Sequence, residues 1–258
     1  MLTFPFCKIN LGLHIVNKRA DGFHNIETVF YPVKTITDVL EIIPSEQFSF
    51  QCYGIQIDGK EEDNLVIKAY NLMKERHHLP PVSINLLKKI LAGAGLGGGS
   101  SDAAATLVLL NKLFHLQLDN ETLKSYASNL GSDCPFFIEG TLAFASGRGE
   151  NLSPCGYPEM ENKHIVIVNP NIHISTAEAY SHCEPSASEV DLREIMQKPI
   201  SSWKNLLKND FEKTLFPIYP RLAEIKKELY QKGALYASLS GSGSALFGVF
   251  DEYVEVGG

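Results

Sequence analysis

The stretch Leu91–Asp102 reads LAGAGLGGGSSD and contains five glycines followed by two serines. The residues before it, Val82–Ile90, are typical of a strand, and those from Ser100 to Phe114 are rich in helix formers. Glycine has no Cβ, so backbone N–H groups of such a loop can approach an anion closely. The first N–H groups of a helix lack intrahelical partners and lie at its positive end. The order strand, glycine loop, helix therefore predicts a phosphate-binding site.

Three other patterns compete with a phosphate loop of this kind: a P-loop, a dinucleotide loop and a flexible surface loop. The P-loop pattern is excluded, because no Lys-Ser or Lys-Thr pair follows the glycines. The dinucleotide pattern G-x-G-x-x-G is present at Gly93, Gly95 and Gly98, with Asp119 near the expected acidic position. That pattern requires a preceding strand that is buried on both faces. The strand here carries four polar residues, Ser83, Asn85, Lys88 and Lys89. A nicotinamide-dependent oxidoreductase therefore stays open only as an alternative, and the adjacent helix formers disfavour a flexible linker.

Length and composition bound the class of protein. The chain has 258 residues, of which 44% are hydrophobic and 21% charged, so a packed core is expected. The net charge of −7 argues against a nucleic-acid partner, which would need clustered Lys and Arg. Five scattered cysteines without C-x-x-C, and eight histidines without H-E-x-x-H, predict neither disulfides nor a zinc site. No signal peptide or membrane-length apolar run is visible, so we expect a reduced cytoplasmic enzyme without a membrane partner.

The segment Lys8–Val16, KINLGLHIV, alternates apolar and polar residues as a strand does. Its apolar residues should face a core. Lys8 and Asn10 should project together from the opposite side. Taken alone, this pattern describes a half-buried edge strand with a solvated polar face.

The string GAGLGGGSSDAAA, residues 93–105, resembles the phosphate loop of the GHMP kinases, a family of small-molecule kinases. Three further segments resemble motifs of that family, namely PFCKINLGLHI (5–15), GSDCPFF (131–137) and SGSGSALFG (240–248). The resemblance covers most of residues 5–250. It implies a two-lobed α+β fold, with an N-terminal ATP-binding lobe at 1–155 and a smaller C-terminal substrate lobe at 156–258.

The resemblance also implies the reaction and its catalytic residues. The γ-phosphoryl group of ATP would pass to an alcohol, with Asp133 accepting the hydroxyl proton and Lys8 stabilising the developing negative charge. Without the resemblance, an Asp before Cys-Pro is usually a turn former. Mg²⁺ is expected with ATP, and Ser101 is a candidate ligand by its place in the loop. The implied ATP-binding residues are Leu91, Ala92, Gly93, Ala94, Gly95, Leu96, Gly97, Gly98, Gly99, Ser100 and Ser101.

The segment RADGFH, residues 19–24, resembles the R-A-D-G-Y-H motif of a branch whose substrate carries a cytidine diphosphate group. In that branch the aromatic ring stacks on the cytosine and the His hydrogen-bonds to it. The implied substrate-binding residues are Asn10, Phe23 and His24, with Phe23 where tyrosine is common. Another GHMP-type small-molecule kinase and an inactive ligand-binding module are alternatives, and the presence of both Lys8 and Asp133 argues against the second. The sequence indicates no oligomeric state.

Local signals predict several elements. Asp21-Gly22 and residues 147–149 predict hairpin turns. Helices are predicted from Asn64 to His78, from Asp119 to Leu130 and from Tyr219 to Gln231. An apolar strand is expected after Asp133, and the polar residues 184–199 are expected to be partly mobile.

Overall fold

The structure is a computed structural model, and it describes residues 1–57, 59–156, 158–186 and 190–255. The strands are β1 (Leu2–Thr3), β2 (Phe6–Lys18), β3 (His24–Thr37), β4 (Val39–Pro44), β5 (Ser49–Gly54), β6 (Val82–Lys88), β7 (Ala143–Ser146), β8 (Asn151–Pro154), β9 (His164–Val168), β10 (Tyr236–Leu239) and β11 (Leu246–Phe250). The helices are α1 (Leu65–His77), α2 (Gly98–Leu113), α3 (Asn120–Ser128), α4 (Phe136–Glu139), α5 (Thr176–Ser181), α6 (Leu192–Met196), α7 (Ile200–Leu206), α8 (Phe211–Ile218) and α9 (Pro220–Gln231). Short 3₁₀ helices lie at Glu61–Asp63 and Pro158–Met160.

The chain divides into two units that interleave along the sequence. The first unit comprises Met1–Lys8, Pro32–Ala92 and Gly97–Thr141. The second comprises Ile9–Tyr31, Gly93–Leu96 and the described residues from Leu142 on. The lobe boundary predicted between residues 155 and 156 is not where these units divide, and it stays a prediction.

The first unit contains a four-stranded sheet in the order β1-β4-β6-β5. Strand β6 is antiparallel to β4 and parallel to β5. Burial alternates along β6, so one face of the sheet packs with α1 and α2 in an apolar core. This alternation does not fit the strand buried on both faces that the dinucleotide alternative required, and that alternative is wrong.

The second unit contains the sheet β10-β11-β9, and its core joins residues of this sheet to residues of α5, α8 and α9. A further sheet has the order β2-β3-β7-β8. Its hairpins turn where the sequence predicted, at Asp21–Gly22 and after Ser146. In the part of the chain that the structure describes, no helix is both long and apolar enough to cross a membrane. The cytoplasmic location stays a prediction.

Local capping explains which helices the sequence predicted well. Asn64 and Asp119 cap α1 and α3 by accepting hydrogen bonds from the N–H groups of Val66 and Thr122. The start of α2 was predicted two residues too late, at Ser100. Gly97 has the left-handed φ of +72° and serves as the N-cap, so the helix already begins at Gly98.

One other expectation was wrong. The residues after Asp133 form the single-turn helix α4 instead of a strand, because Pro135 has the helical φ of −58° and left-handed Gly140 ends the turn. The polar segment 184–199 contains α6, which Asp191 caps and whose apolar residues are buried, and the partial mobility expected of this segment stays a prediction. Residues 187–189 of that segment lie outside the described residues.

Candidate active site

Lys8 and Asp133, which the resemblance implied as a catalytic pair, lie together in the first unit. Nζ of Lys8 is 3.4 Å from Oδ2 of Asp133. The side chain of Lys8 is only 3% exposed, so the polar face of β2 is buried at this point and is not the solvated face that the alternation alone described. Asp133 is 30% exposed, in the turn before α4. A fixed ammonium thus holds a carboxylate that a ligand can reach, and the catalytic roles stay predictions.

This pair lies against the end of the glycine loop. A Cβ added to Gly97 would lie 3.2 Å from Cγ of Lys8 and 2.8 Å from Cζ of Phe137. Burial raises the pKa of the Cys134 thiol to about 12, and the nearby Ser100 side chain opposes this shift. Because Gly97 has no side chain, the loop and the segment around Asp133 can approach each other this closely.

The start of α2 offers backbone N–H groups to an anion. The N–H of Ser101 donates to the carbonyl of Gly97 at 2.9 Å, which is the first hydrogen bond of the helix. The N–H groups of Gly98, Gly99 and Ser100 precede that bond and have no intrahelical acceptor. Gly99 is exposed, so this end of the helix is accessible to a phosphate group.

The centre of the loop belongs to the second unit and packs against the glycine-serine turn between β10 and β11. Oγ of Ser240 donates to the carbonyl of Gly95 at 2.9 Å, and the N–H of Ala245 donates to that of Ala94 at 3.2 Å. Gly95 has a φ of +76°, and a Cβ there would lie 1.9 Å from the carbonyl oxygen of Ser240. These two segments, which both resemble family motifs, are therefore in direct contact within the second unit. At the beginning of the loop, Leu91 is half-buried and Ala92 is exposed.

The predicted substrate residues lie in the second unit. Phe23 is 55% exposed directly after the Asp21–Gly22 turn, as a stacking surface should be. Asn10 is only 1% exposed, and its Nδ2 donates to Oγ1 of Thr28 at 3.0 Å. This hydrogen bond supports β2 and β3, and a substrate contact by Asn10 stays a prediction.

Two residues that the sequence did not single out complete this region. The ring of Tyr180 stacks on that of His24, with centroids 4.8 Å apart and planes 13° apart. The Arg148 guanidinium lies 5.3 Å from the ring centroid of Phe23. Burial, with a contribution from Lys18, lowers the pKa of His24, so the neutral imidazole is favoured. No local signal joins Tyr180 or Arg148 to this motif, because both lie more than 100 residues further along the chain.

A buried ionic network was also missed. Lys88 contacts Asp38 and lies 2.8 Å from Asp102. Burial raises the pKa of Asp102 to about 7, although the Lys88 ammonium opposes this shift. The sequence does contain a signal for this burial. Side chains alternate between the two faces of a strand, and Lys88 follows Val82, Ile84 and Leu86 at intervals of two, so it lies on their buried face.

Ser101, the predicted Mg²⁺ ligand, lies in the first turns of α2 and is 2% exposed. Among the described residues, no group of three or more His, Cys, Asp or Glu side chains is placed to hold a metal ion. Mg²⁺ commonly keeps several waters and binds through phosphates and one or two protein oxygens, so a loop hydroxyl beside phosphates fits its chemistry. The assignment of Ser101 stays a prediction.

Comparison with protein families identifies the class. The model of the GHMP kinase N-terminal domain matches residues 64–141, and that of the GHMP kinase C-terminal domain matches residues 191–256. The chain belongs to the GHMP kinase family, and it is an ATP-dependent small-molecule kinase.

Comparison with individual proteins gives more detail than comparison with the family models. The chain is 50% identical over 254 residues to the 4-diphosphocytidyl-2-C-methyl-D-erythritol kinase of Bacteroides fragilis (strain YCH46), covering 97% of this chain and 92% of that protein. It is 45% identical to the kinase of the same name from Cytophaga hutchinsonii, covering 97% and 93%. The crystal structure of a 4-(cytidine 5'-diphospho)-2C-methyl-D-erythritol kinase superposes with a TM-score of 0.82 at 32% identity, covering 96% of this chain and 90% of that one. The mevalonate kinase of Methanococcus jannaschii, at 12% identity and a TM-score of 0.69, covering 97% and 90%, shares the fold.

Proposed function

We propose that this kinase transfers the γ-phosphoryl group of ATP to the 2-hydroxyl of 4-diphosphocytidyl-2-C-methyl-D-erythritol, a step of non-mevalonate isoprenoid precursor biosynthesis. The names of its relatives support the substrate. The observation that carries the chemistry is the contact between Lys8 and Asp133 beside Gly97.

The pair suits phosphoryl transfer to an alcohol. The transition state is loose, so the protein mainly positions the reactants and balances their charge. Asp133 is accessible enough to accept the hydroxyl proton as the oxygen attacks phosphorus. Lys8 is held close to Asp133 and carries the positive charge that stabilises the forming alkoxide.

The phosphates of ATP would lie at the start of α2, where the N–H groups of Gly98, Gly99 and Ser100 can donate to them. Mg²⁺ bound with ATP would neutralise phosphate charge, with Ser101 as its proposed protein ligand. The first unit also has a cleft of about 470 Å³ lined by residues that include Tyr53, Gly54 and Asn64. The next residue, Leu65, is 3.8 Å from a Cβ added to Gly99, so we assign this cleft to the adenosine part of ATP.

The cytosine would stack on Phe23 beside the His24–Tyr180 pair. A neutral imidazole can exchange a hydrogen bond with the polar edge of the base. Arg148 supplies a cation at the same ring, which suits a substrate that carries a diphosphate group.

A coupled assay of ADP release tests this proposal. We expect release that depends on 4-diphosphocytidyl-2-C-methyl-D-erythritol and is absent with homoserine, mevalonate or the uncytidylated methylerythritol phosphate. Asp133→Asn protein measures the background hydrolysis of ATP. Release that depends on one of the other alcohols would assign a different member of the family, and the cytidyl substrate would then be wrong.

Replacing Phe23 with Ala should raise KM for the cytidyl substrate by about 5- to 150-fold, because stacking of a base on an aromatic ring contributes about 1–3 kcal/mol. KM for ATP should stay nearly unchanged. Phe23→Tyr is the matched control, since it keeps the stacking face and should behave almost as wild type. Equal increases in both KM values would indicate a folding defect and contradict the stacking role.

Replacing Arg148 with Met keeps an extended side chain over Phe23 and removes the charge. We expect KM for the cytidyl substrate to rise about tenfold, as one charge-assisted hydrogen bond to the diphosphate is lost. The effect should be smaller with cytidine as a competitive inhibitor, because cytidine has no phosphate. An identical loss for both ligands would mean that Arg148 acts only through the Phe23 ring.

A further inference from the structure

Three charged side chains form a buried network under the start of α2. Nζ of Lys88 contacts Oδ2 of Asp38 and lies 2.8 Å from Oδ2 of Asp102. None of these side chains is more than 2% exposed. Lys88 ends β6 in phase with the buried apolar residues of that strand, so the strand period itself brings the ammonium into the interior.

The network reaches both ends of the predicted phosphate loop. Oδ1 of Asp38 accepts hydrogen bonds from the N–H groups of Lys89, at 2.5 Å, and Ile90, at 2.8 Å, immediately before the loop. Asp102 lies in α2 immediately after the loop. Between them, Nζ of Lys88 would be 3.2 Å from a Cβ on Gly98, the first residue of the helix.

We propose that Asp38, Lys88 and Asp102 are positioning residues that tie the chain entering the loop to the helix leaving it. They thereby fix the spacing of the N–H groups that receive the phosphates of ATP. This inference rests on the proposed function, in which the loop holds the triphosphate. The network acts through the backbone, because its side chains are buried away from any ligand.

The composition of the network fits positioning better than stabilisation. Two carboxylates face one ammonium, and Oδ1 of Asp102 is buried without a hydrogen-bond partner among the described residues. Buried ion pairs add little net stability over apolar side chains, and an unsatisfied buried oxygen destabilises the folded protein. Apolar side chains would give a more stable core here, but they could not hold the N–H groups of Lys89 and Ile90.

Asp38→Asn is the first test. The amide keeps the shape and one acceptor oxygen but removes the charge that holds Lys88. We expect KM for ATP to rise about tenfold, the effect of one lost charge-assisted contact. KM for the cytidyl substrate and kcat at saturating ATP should stay within about twofold of wild type, since neither depends on ATP affinity.

Tyr70→Phe is the matched control. It removes a hydrogen bond from a buried side chain of the same unit to the carbonyl of Pro80, away from the loop. We expect it to lower Tm and to leave KM for ATP unchanged. This comparison separates a positioning role from a general loss of stability, because a purely structural network would behave as Tyr70 does.

Asp102→Asn is a milder second variant and decides the question if Asp38→Asn does not fold. With this change the Lys88 ammonium faces a single carboxylate, that of Asp38, so the buried charges balance. We therefore expect the protein to fold and its KM for ATP to rise about threefold. Wild-type KM for ATP in every folded network variant would overturn the proposal, whatever their Tm. Failure of the proposed function would give a different result. If the loop did not hold the triphosphate, Gly99→Val, which places a side chain at the exposed start of α2, would also bind ATP normally.

Discussion

Asp133→Asn should lower kcat by about 10²- to 10⁴-fold, the usual contribution of a general base. The amide keeps the shape of the side chain but cannot accept the hydroxyl proton. Asp133 lies 3.4 Å from an almost fully buried ammonium and is itself 30% exposed, so the change should affect the reacting hydroxyl more than the fold. KM values for both substrates should change much less than kcat.

Lys8→Ala extends this test to the partner of Asp133. The single variant should also lose most of its turnover. Asp133 would lose the Lys8 ammonium that holds it, and the forming alkoxide would lose the positive charge that stabilises it. In the double variant the loss should be far smaller than the product of the two single losses, as groups that act as a unit are not additive. Near-normal turnover of Asp133→Asn, or multiplicative losses in the double variant, would rule out the pair as the catalytic unit.

Gly99→Val should raise the Kd for ATP about 100-fold, equivalent to about 2.7 kcal/mol. This is the size expected when one or two hydrogen bonds to a charged group are lost. Gly99 is exposed at the start of α2, and among the described residues a Cβ there would meet Leu65 alone, at 3.8 Å, so the added side chain would extend into the space proposed for the phosphates. Gly98 is a poorer choice, since a Cβ there would lie 2.7 Å from the Ile90 side chain and would disturb the core.

Gly156→Val is the matched control for this substitution. A Cβ on Gly156 meets no atom of the described residues within 4 Å, and the residue lies outside the glycine loop. Isothermal titration with ATP should give a wild-type Kd for this variant, and circular dichroism should show both variants folded. A wild-type Kd for folded Gly99→Val would mean that the start of α2 does not hold the phosphates.

The sequence predicted best where the signals are local. Asn64 and Asp119 cap their helices within a few residues, and the Asp21–Gly22 turn needs no distant partner. The start of α2 was missed because left-handed Gly97 acts as a cap without a side chain. Helix α4 was missed because the Phe-Phe-Ile run is equally apolar in a strand or a helix, and only Pro135 and Gly140 decide between them.

The candidate site was predicted where family motifs mark it and was missed where only the tertiary fold makes the contact. The resemblance indicated both Lys8 and Asp133, although they lie 125 positions apart in the sequence. Tyr180 and Arg148 reach the Phe23–His24 region from segments without such a motif. Lys88 was taken as a sign of a polar strand, because its two carboxylate partners come from the link between β3 and β4 and from α2 rather than from its own neighbours.

The interleaving of the two units has a consequence for how the chain acquires its structure. Each unit is assembled from three separate segments, and eight residues from the beginning of the chain complete a unit that ends at Thr141. No single cut therefore yields two fragments that each contain one whole unit. Many native pairings also join positions far apart in sequence, such as Leu2 with Glu41 and Leu246 with Val168. Proteins rich in such distant pairings fold slowly, so we expect refolding to be slower than in a helical protein of the same length.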